Sequence, residues 1–205
     1  QYALFLNQFT DKIKTYTGVD FNRRNNWDLL MEENPFIKLI EDSSSTISKL
    51  IENNGETNFF ITQSAIEHFK YDLKYFQEID LYIKKNRNNV IQVHLFPSPV
   101  CLWLYLFHGV RQYNFRSILK IIDIFKSTNS YYRIYPIGGN YSNIFHFKNL
   151  TIPKILKKIN FNIKDNNSYI PKLKNVILRD CERKISNNPC YYALIIHSNY
   201  SKEIF

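Results

Sequence analysis

A chain of 205 residues with 44% hydrophobic content can bury a core of its own and is too apolar to be disordered. Its formal charge of +9 points to an anionic partner, and the longest apolar run, Val100 to Phe107, is too short to span a bilayer. Cys101, Cys181 and Cys190 form no paired-thiol or zinc motif, which argues against a disulfide framework and for a reducing compartment.

Leu4, Phe5, Phe9, Ile13 and Tyr16 fall near helical spacing, and Gly18 breaks the run. Asn22 to Asn26 is a polar loop with Arg23 and Arg24, and Phe36 to Ile40 suits a strand. Ser43, Ser44 and Ser45 precede Ile47, Leu50 and Ile51, the pattern of a capped helix ending before Gly55. Asn58 to Thr62 reads as a buried strand running into Ser64-Ala-Ile-Glu67, a capping box that predicts a helix from about Ala65. Val90 to Phe96 is the next strand, closed by Pro97 and Pro99. Cys101 to Phe107 is apolar without alternation and reads as a strand buried on both faces. Phe115, Ile118, Leu119, Ile122 and Phe125 mark a helix face, and Tyr131 to Ile137 a strand stopped by Gly138-Gly139. Helices follow over Pro153 to Ile159 and Pro171 to Ile185, and Tyr191 to His197 is a last strand or a helical end.

Strands alternating with helices predict an α/β fold, a parallel sheet with helices on both faces. Residues 1–160 are expected to form the domain, and 161–205 a basic extension packed on it. Arg23, Arg24, Lys154, Lys157, Lys158, Lys172 and Lys174 stand in exposed-type loops or helix faces and are expected to meet phosphates of RNA. The weight of Ile, Asn, Lys, Phe and Tyr, all with A/T-rich codons, suggests an organellar genome, a mitochondrion first, a plastid or an A/T-rich bacterial cytoplasm otherwise.

Sites of chemistry are scarce. His108-Gly109 with Arg111, Asn114 and Ser117 looks like the first nicotinamide-site motif of ADP-ribosyltransferases, with Tyr141 downstream and Glu203 as the acid. An ordinary strand-to-helix junction has the same look. Arg87 and His94 match a nuclease spacing only on a helix, and Glu78 with Asp80 lacks a following lysine. Ser142 lacks the glycine of a nucleophile elbow, and no phosphate-binding glycine loop occurs. No cofactor, metal or catalytic residue is expected. Gly138-Gly139 before Asn140 reads as a structural turn, with Asn140 as helix N-cap.

Three ordered segments resemble the bacterial-type second protein of the small ribosomal subunit. They are Gly18-Val-Asp-Phe21 with Trp27, Met31 and Pro35-Phe-Ile37; Asn58-Phe-Phe-Ile-Thr-Gln63; and Tyr135-Pro-Ile-Gly-Gly-Asn140. Asp20 and Asn22 replace a histidine and a glycine of the family pattern, and its long helical hairpin is absent. The resemblance implies a flavodoxin-like sheet without that hairpin and a non-catalytic constituent of an organellar, mitochondrial ribosome. Small-subunit ribosomal RNA and neighbouring ribosomal proteins would be its partners, with no membrane and no small-molecule substrate. Two alternatives remain, an ADP-ribosyltransferase-like enzyme using His108-Gly109 and a free RNA-binding protein.

Overall fold

The computed structural model describes residues 13–42, 47, 51, 56–105, 111–156, 169–182 and 188–200. Two sheets are present among them. In the first, β1 (Tyr16–Asp20) and β2 (Ile37–Glu41) pair in parallel and are joined by helix α1 (Trp27–Glu33). Gly18 does not break this segment. It lies in mid-strand, where a Cβ would come 2.8 Å from the Leu39 side chain of the partner strand.

The second sheet has four strands in the order β3 (Phe59–Gln63), β4 (Val90–Pro97), β6 (Tyr191–Ser198) and β5 (Ser130–Ile137). β3 and β4 are parallel, while β6 runs antiparallel to both β4 and β5. β3, β4 and β5 therefore point the same way, and β6 is inserted against them. The α/β class holds, with a mixed sheet that leans parallel.

Period-two burial shows why β4 is central. Val90, Gln92, His94 and Phe96 are all fully buried, and their partners on β6 include Leu194 and Ile196, which are equally buried. This face is covered by α2 (Asp72–Asn86) and α4 (Phe115–Ile124). Phe76 and Ile79 of α2 and Ile118 and Ile121 of α4 share the core with it, all fully buried. α4 starts cleanly because Asn114 Oδ1 accepts the Ser117 N–H and Ser117 Oγ accepts the Asn114 N–H, both at 2.9 Å.

Several expected elements differ. The described part of the strand expected over Cys101 to Phe107 is helical: it opens as the short helix α3 (Cys101–Leu104), since Ser98 Oγ accepts the Val100 N–H and turns the chain after Pro97, and residues 106–107 lie outside the described residues. The box at Ser64 forms no cap. Ser64 adopts a left-handed φ of 45°, a 3-10 turn covers Ile66–His68, and the helix waits until Asp72. After β5 the chain is helical from α5 (Asn140–His146) through a π-turn (Phe147–Thr151) into α6 (Ile152–Ile155), well before Pro153. α7 spans Tyr169–Cys181. The helix expected before Tyr16 and most of the one expected around Ile47 lie outside the described residues.

Candidate functional site

In an open α/β sheet ligands bind beyond the carboxyl ends of the strands. Here the ends of β4 and β5 meet the start of β6, where Pro97 and Ile137 flank Tyr191 in register, and β3 ends beside β4 on the same edge. The Ser98 N–H donates to the Cys190 carbonyl at 2.9 Å, and Ser98 Oγ donates to the Pro189 carbonyl at 2.5 Å. These bonds pin the turn after β4 to the entry of β6. They bring Cys101 Sγ within 3.2 Å of Cys190 Sγ and 2.8 Å of the Cys190 carbonyl.

Tyrosines continue this edge. The Tyr191 hydroxyl lies close to the side chains of Ser64 and Tyr105, and the Tyr105 ring lies against His146 with centroids 4.7 Å apart. Gly138, at φ +75°, closes the rim: a Cβ there would come 3.4 Å from Cys190 Cβ. Glu67 is buried near enough for its charge to act on Cys101.

The two thiols are not equivalent. The Cys190 S–H donates to Cys101 and lowers the Cys101 thiol, which burial and the Glu67 charge push back up. The same bond, with burial, pushes Cys190 strongly up. Burial raises Tyr105 and Tyr191, and lowers His146 so that it is neutral at pH 7. Hydroxyls, thiols and a neutral imidazole thus line one edge, a donor set suited to orienting a small organic molecule.

A second strand-end cluster lies on the β1–β2 pair. Asp20 and Glu41 are register partners at its carboxyl end, and Glu41 is exposed. Asp20 accepts from the Asn22 N–H at 3.4 Å and from Arg24 at 3.1 Å, and Phe21 is 74% exposed.

The described residues expected to meet RNA stand on separate elements. Arg23 pairs with Asp28 of α1 and Arg24 with Asp20 of β1, so both are engaged by the elements that flank their loop. Lys154 stands on α6, and Lys172 and Lys174 are exposed on α7. Lys157 and Lys158 lie outside the described residues, as do His108, Gly109 and Glu203. Of the ADP-ribosyltransferase-like set, Arg111 is structural: it holds Asp72 at 2.7 Å and the Phe69 carbonyl at 2.9 Å. Glu78 and Asp80 form helix pairs with Lys74 at 3.8 Å and Lys84 at 2.5 Å.

The Gly138-Gly139 turn is filled from within. Asp180 of α7 accepts the Tyr141 N–H at 3.1 Å and the Ser142 N–H at 2.8 Å. A carboxylate thus occupies the helix start that a phosphate would seek. Asn140 is the first helical residue and Gly139 the cap, contrary to the expected Asn140 N-cap.

Neither a protein-family model nor a curated protein matches the sequence. Solved structures do match the fold. The plantazolicin methyltransferase BamL, in complex with a triazolic desmethylPZN analog and SAH, superposes with a TM-score of 0.57 at 12% identity, over 97% of this chain and 73% of that one. The (4+2)-cyclase SpnF gives 0.50 at 9% identity, over 97% of this chain and 71% of that one. These matches correct the ribosomal reading, its ribosomal RNA and protein partners, and the expectation of a non-catalytic chain without a small-molecule substrate. The ADP-ribosyltransferase and free RNA-binding alternatives fare no better. The short motifs behind the resemblance have local causes instead: Gly18 makes room for Leu39, and Gly139 for Asp180. What this chain shares with its structural neighbours is the α/β fold of a methyltransferase and a cyclase, over almost its whole length.

Proposed function

We propose that the protein is a small-molecule methyltransferase that draws its methyl group from S-adenosylmethionine. The observation that carries the reading is the near-complete overlay on a methyltransferase solved with SAH. The donor set of β1–β2 supports it. In nucleotide-binding α/β folds an acidic side chain at the end of the second strand accepts ribose hydroxyls. Glu41 is exposed at that position, about twenty residues beyond the first strand's end. Phe21, exposed beside it, offers an apolar face to the base.

Bound S-adenosylmethionine would supply an electrophilic methyl group. The chain's part is to hold the nucleoside through Glu41 and to orient an acceptor through the hydroxyls of Tyr105 and Tyr191. One feature favours a second reading. The loop after β1 contains no glycine before Gly55, so its backbone cannot approach a ligand as closely as a glycine loop does. A domain of this fold that converts its substrate without methyl transfer would tolerate that loop.

Titration calorimetry with S-adenosylmethionine and S-adenosylhomocysteine tests the proposal. Saturable binding of both is expected, weakened about tenfold or more by Glu41→Ala, a loss of roughly 1.4 kcal/mol. No binding of either at millimolar concentration would overturn it. Binding with no transfer of a labelled methyl group to any small-molecule acceptor would select the second reading.

A further inference from the structure

We propose that Cys101 and Cys190 form a dithiol redox site, whose disulfide closes at the carboxyl edge of the sheet when the protein meets a low-molecular-weight disulfide. The inference stands apart from methyl transfer, because it rests on the reduced protein alone. The two sulfurs lie 3.2 Å apart and are already in hydrogen-bond contact. The backbone around them is fixed by Ser98, which bonds both Cys190 and Pro189. A short approach of two side chains therefore suffices to bond them, with no strand to move.

The pair divides the labour of thiol exchange. Cys101 is only 2% exposed, whereas Cys190 is half-buried and reachable. Cys190 sulfur attacks one sulfur of the reagent, its S–S bond breaks, and the first thiol leaves with the Cys190 proton. Cys101 sulfur then attacks Cys190 sulfur and expels the second thiol, which takes the Cys101 proton. Two protein thiols are oxidised to one disulfide, and one external disulfide is reduced to two thiols. Cys190 attacks first because it is the reachable sulfur, and Cys101 resolves the mixed disulfide because its sulfur already lies 3.2 Å away.

Cys181 supplies an internal reference. It is exposed on α7 and free. Full-length protein is incubated with oxidised glutathione, quenched with acid and mapped by mass spectrometry. The expected result is a Cys101–Cys190 cross-link lacking two hydrogens, beside a glutathione adduct on Cys181, both reversed by dithiothreitol. In Cys101→Ser the resolving thiol is gone, so Cys190 should accumulate a stable glutathione adduct. Two results would overturn the proposal: a stable adduct on Cys190 in the wild-type protein, or unmodified Cys101 and Cys190 after Cys181 has reacted completely. Because both are read on the wild-type chain, a folding defect in the variant leaves the test intact.

Discussion

His94 is the most informative residue to titrate. It lies fully buried on β4, with Thr62 Oγ1 2.8 Å from Nδ1 and Gln92 Oε1 3.2 Å from Nε2, among the rings of Phe76 and Tyr75. Burial holds its pKa down at about 3, against 6.5 for the free side chain. Between those values the unfolded chain binds a proton that the folded chain refuses, so stability falls as the pH drops through 6.5 and is unaffected above it. Each pH unit in the window costs about 1.4 kcal/mol, which integrates to about 2 kcal/mol between pH 7 and pH 5. His146 and His197 are also lowered by burial and add slope of the same sign, so the difference between two proteins isolates His94. Urea unfolding of wild type and His94→Asn should be followed by circular dichroism at half-unit steps from pH 8 to pH 5. The variant is expected to be less stable throughout but to lose about 2 kcal/mol less than wild type on acidification. Parallel curves for the two proteins would refute the assignment of a neutral, proton-excluding His94.

Gly139→Val places a Cβ 2.6 Å from Asp180 Oδ1, and should cost about 1–3 kcal/mol in urea unfolding as the carboxylate is driven off the α5 start. Its φ is close to 180°, so the cost comes from space and not from backbone strain. Phe76→Ala empties the centre of the core, where the ring meets Tyr75 at 5.2 Å and His94 at 5.0 Å; a loss of about 3–5 kcal/mol in the same unfolding assay is expected.

β3, β4, β5 and α4 are legible in the sequence because each combines apolar periodicity with a local stop or cap. Val90 to Phe96 alternates and ends at proline, and Asn114 with Ser117 caps α4. Cys101 to Phe107 reads wrongly as a strand because a short apolar run carries no period that separates a buried strand from a buried helix. The deciding residue is Ser98, whose N–H and Oγ donate to the Cys190 and Pro189 carbonyls some ninety residues away, tertiary bonds that fix where the chain must turn. The site is hidden for a related reason. Cys101 and Cys190 sit 89 residues apart, and only the antiparallel insertion of β6 beside β4 makes them neighbours. Counting cysteines cannot reveal such a pair, nor can spacing show that Ser64, Tyr105 and Tyr191 share one edge. The basic residues are legible as exposed charge, but exposure alone does not name an anion; Arg23 and Arg24 turn to carboxylates of the strand and helix that flank their loop.

The placement of β6 also orders events during synthesis. β5 pairs with no described strand other than β6, and β4 has β6 on the side away from β3. A nascent chain that has reached Ile137 thus holds a finished β5 with no ladder to join, and the buried face of β4 waits for Leu194 and Ile196. Local pairing of β3 with β4 under α2 can proceed early, whereas closure of the sheet depends on a contact spanning the later part of the chain. Until then the apolar edge of β4 and the whole of β5 are open to wrong partners. Production at low temperature, or with chaperones that shield strand edges, should therefore raise the soluble yield, and any truncation before Tyr191 should abolish it.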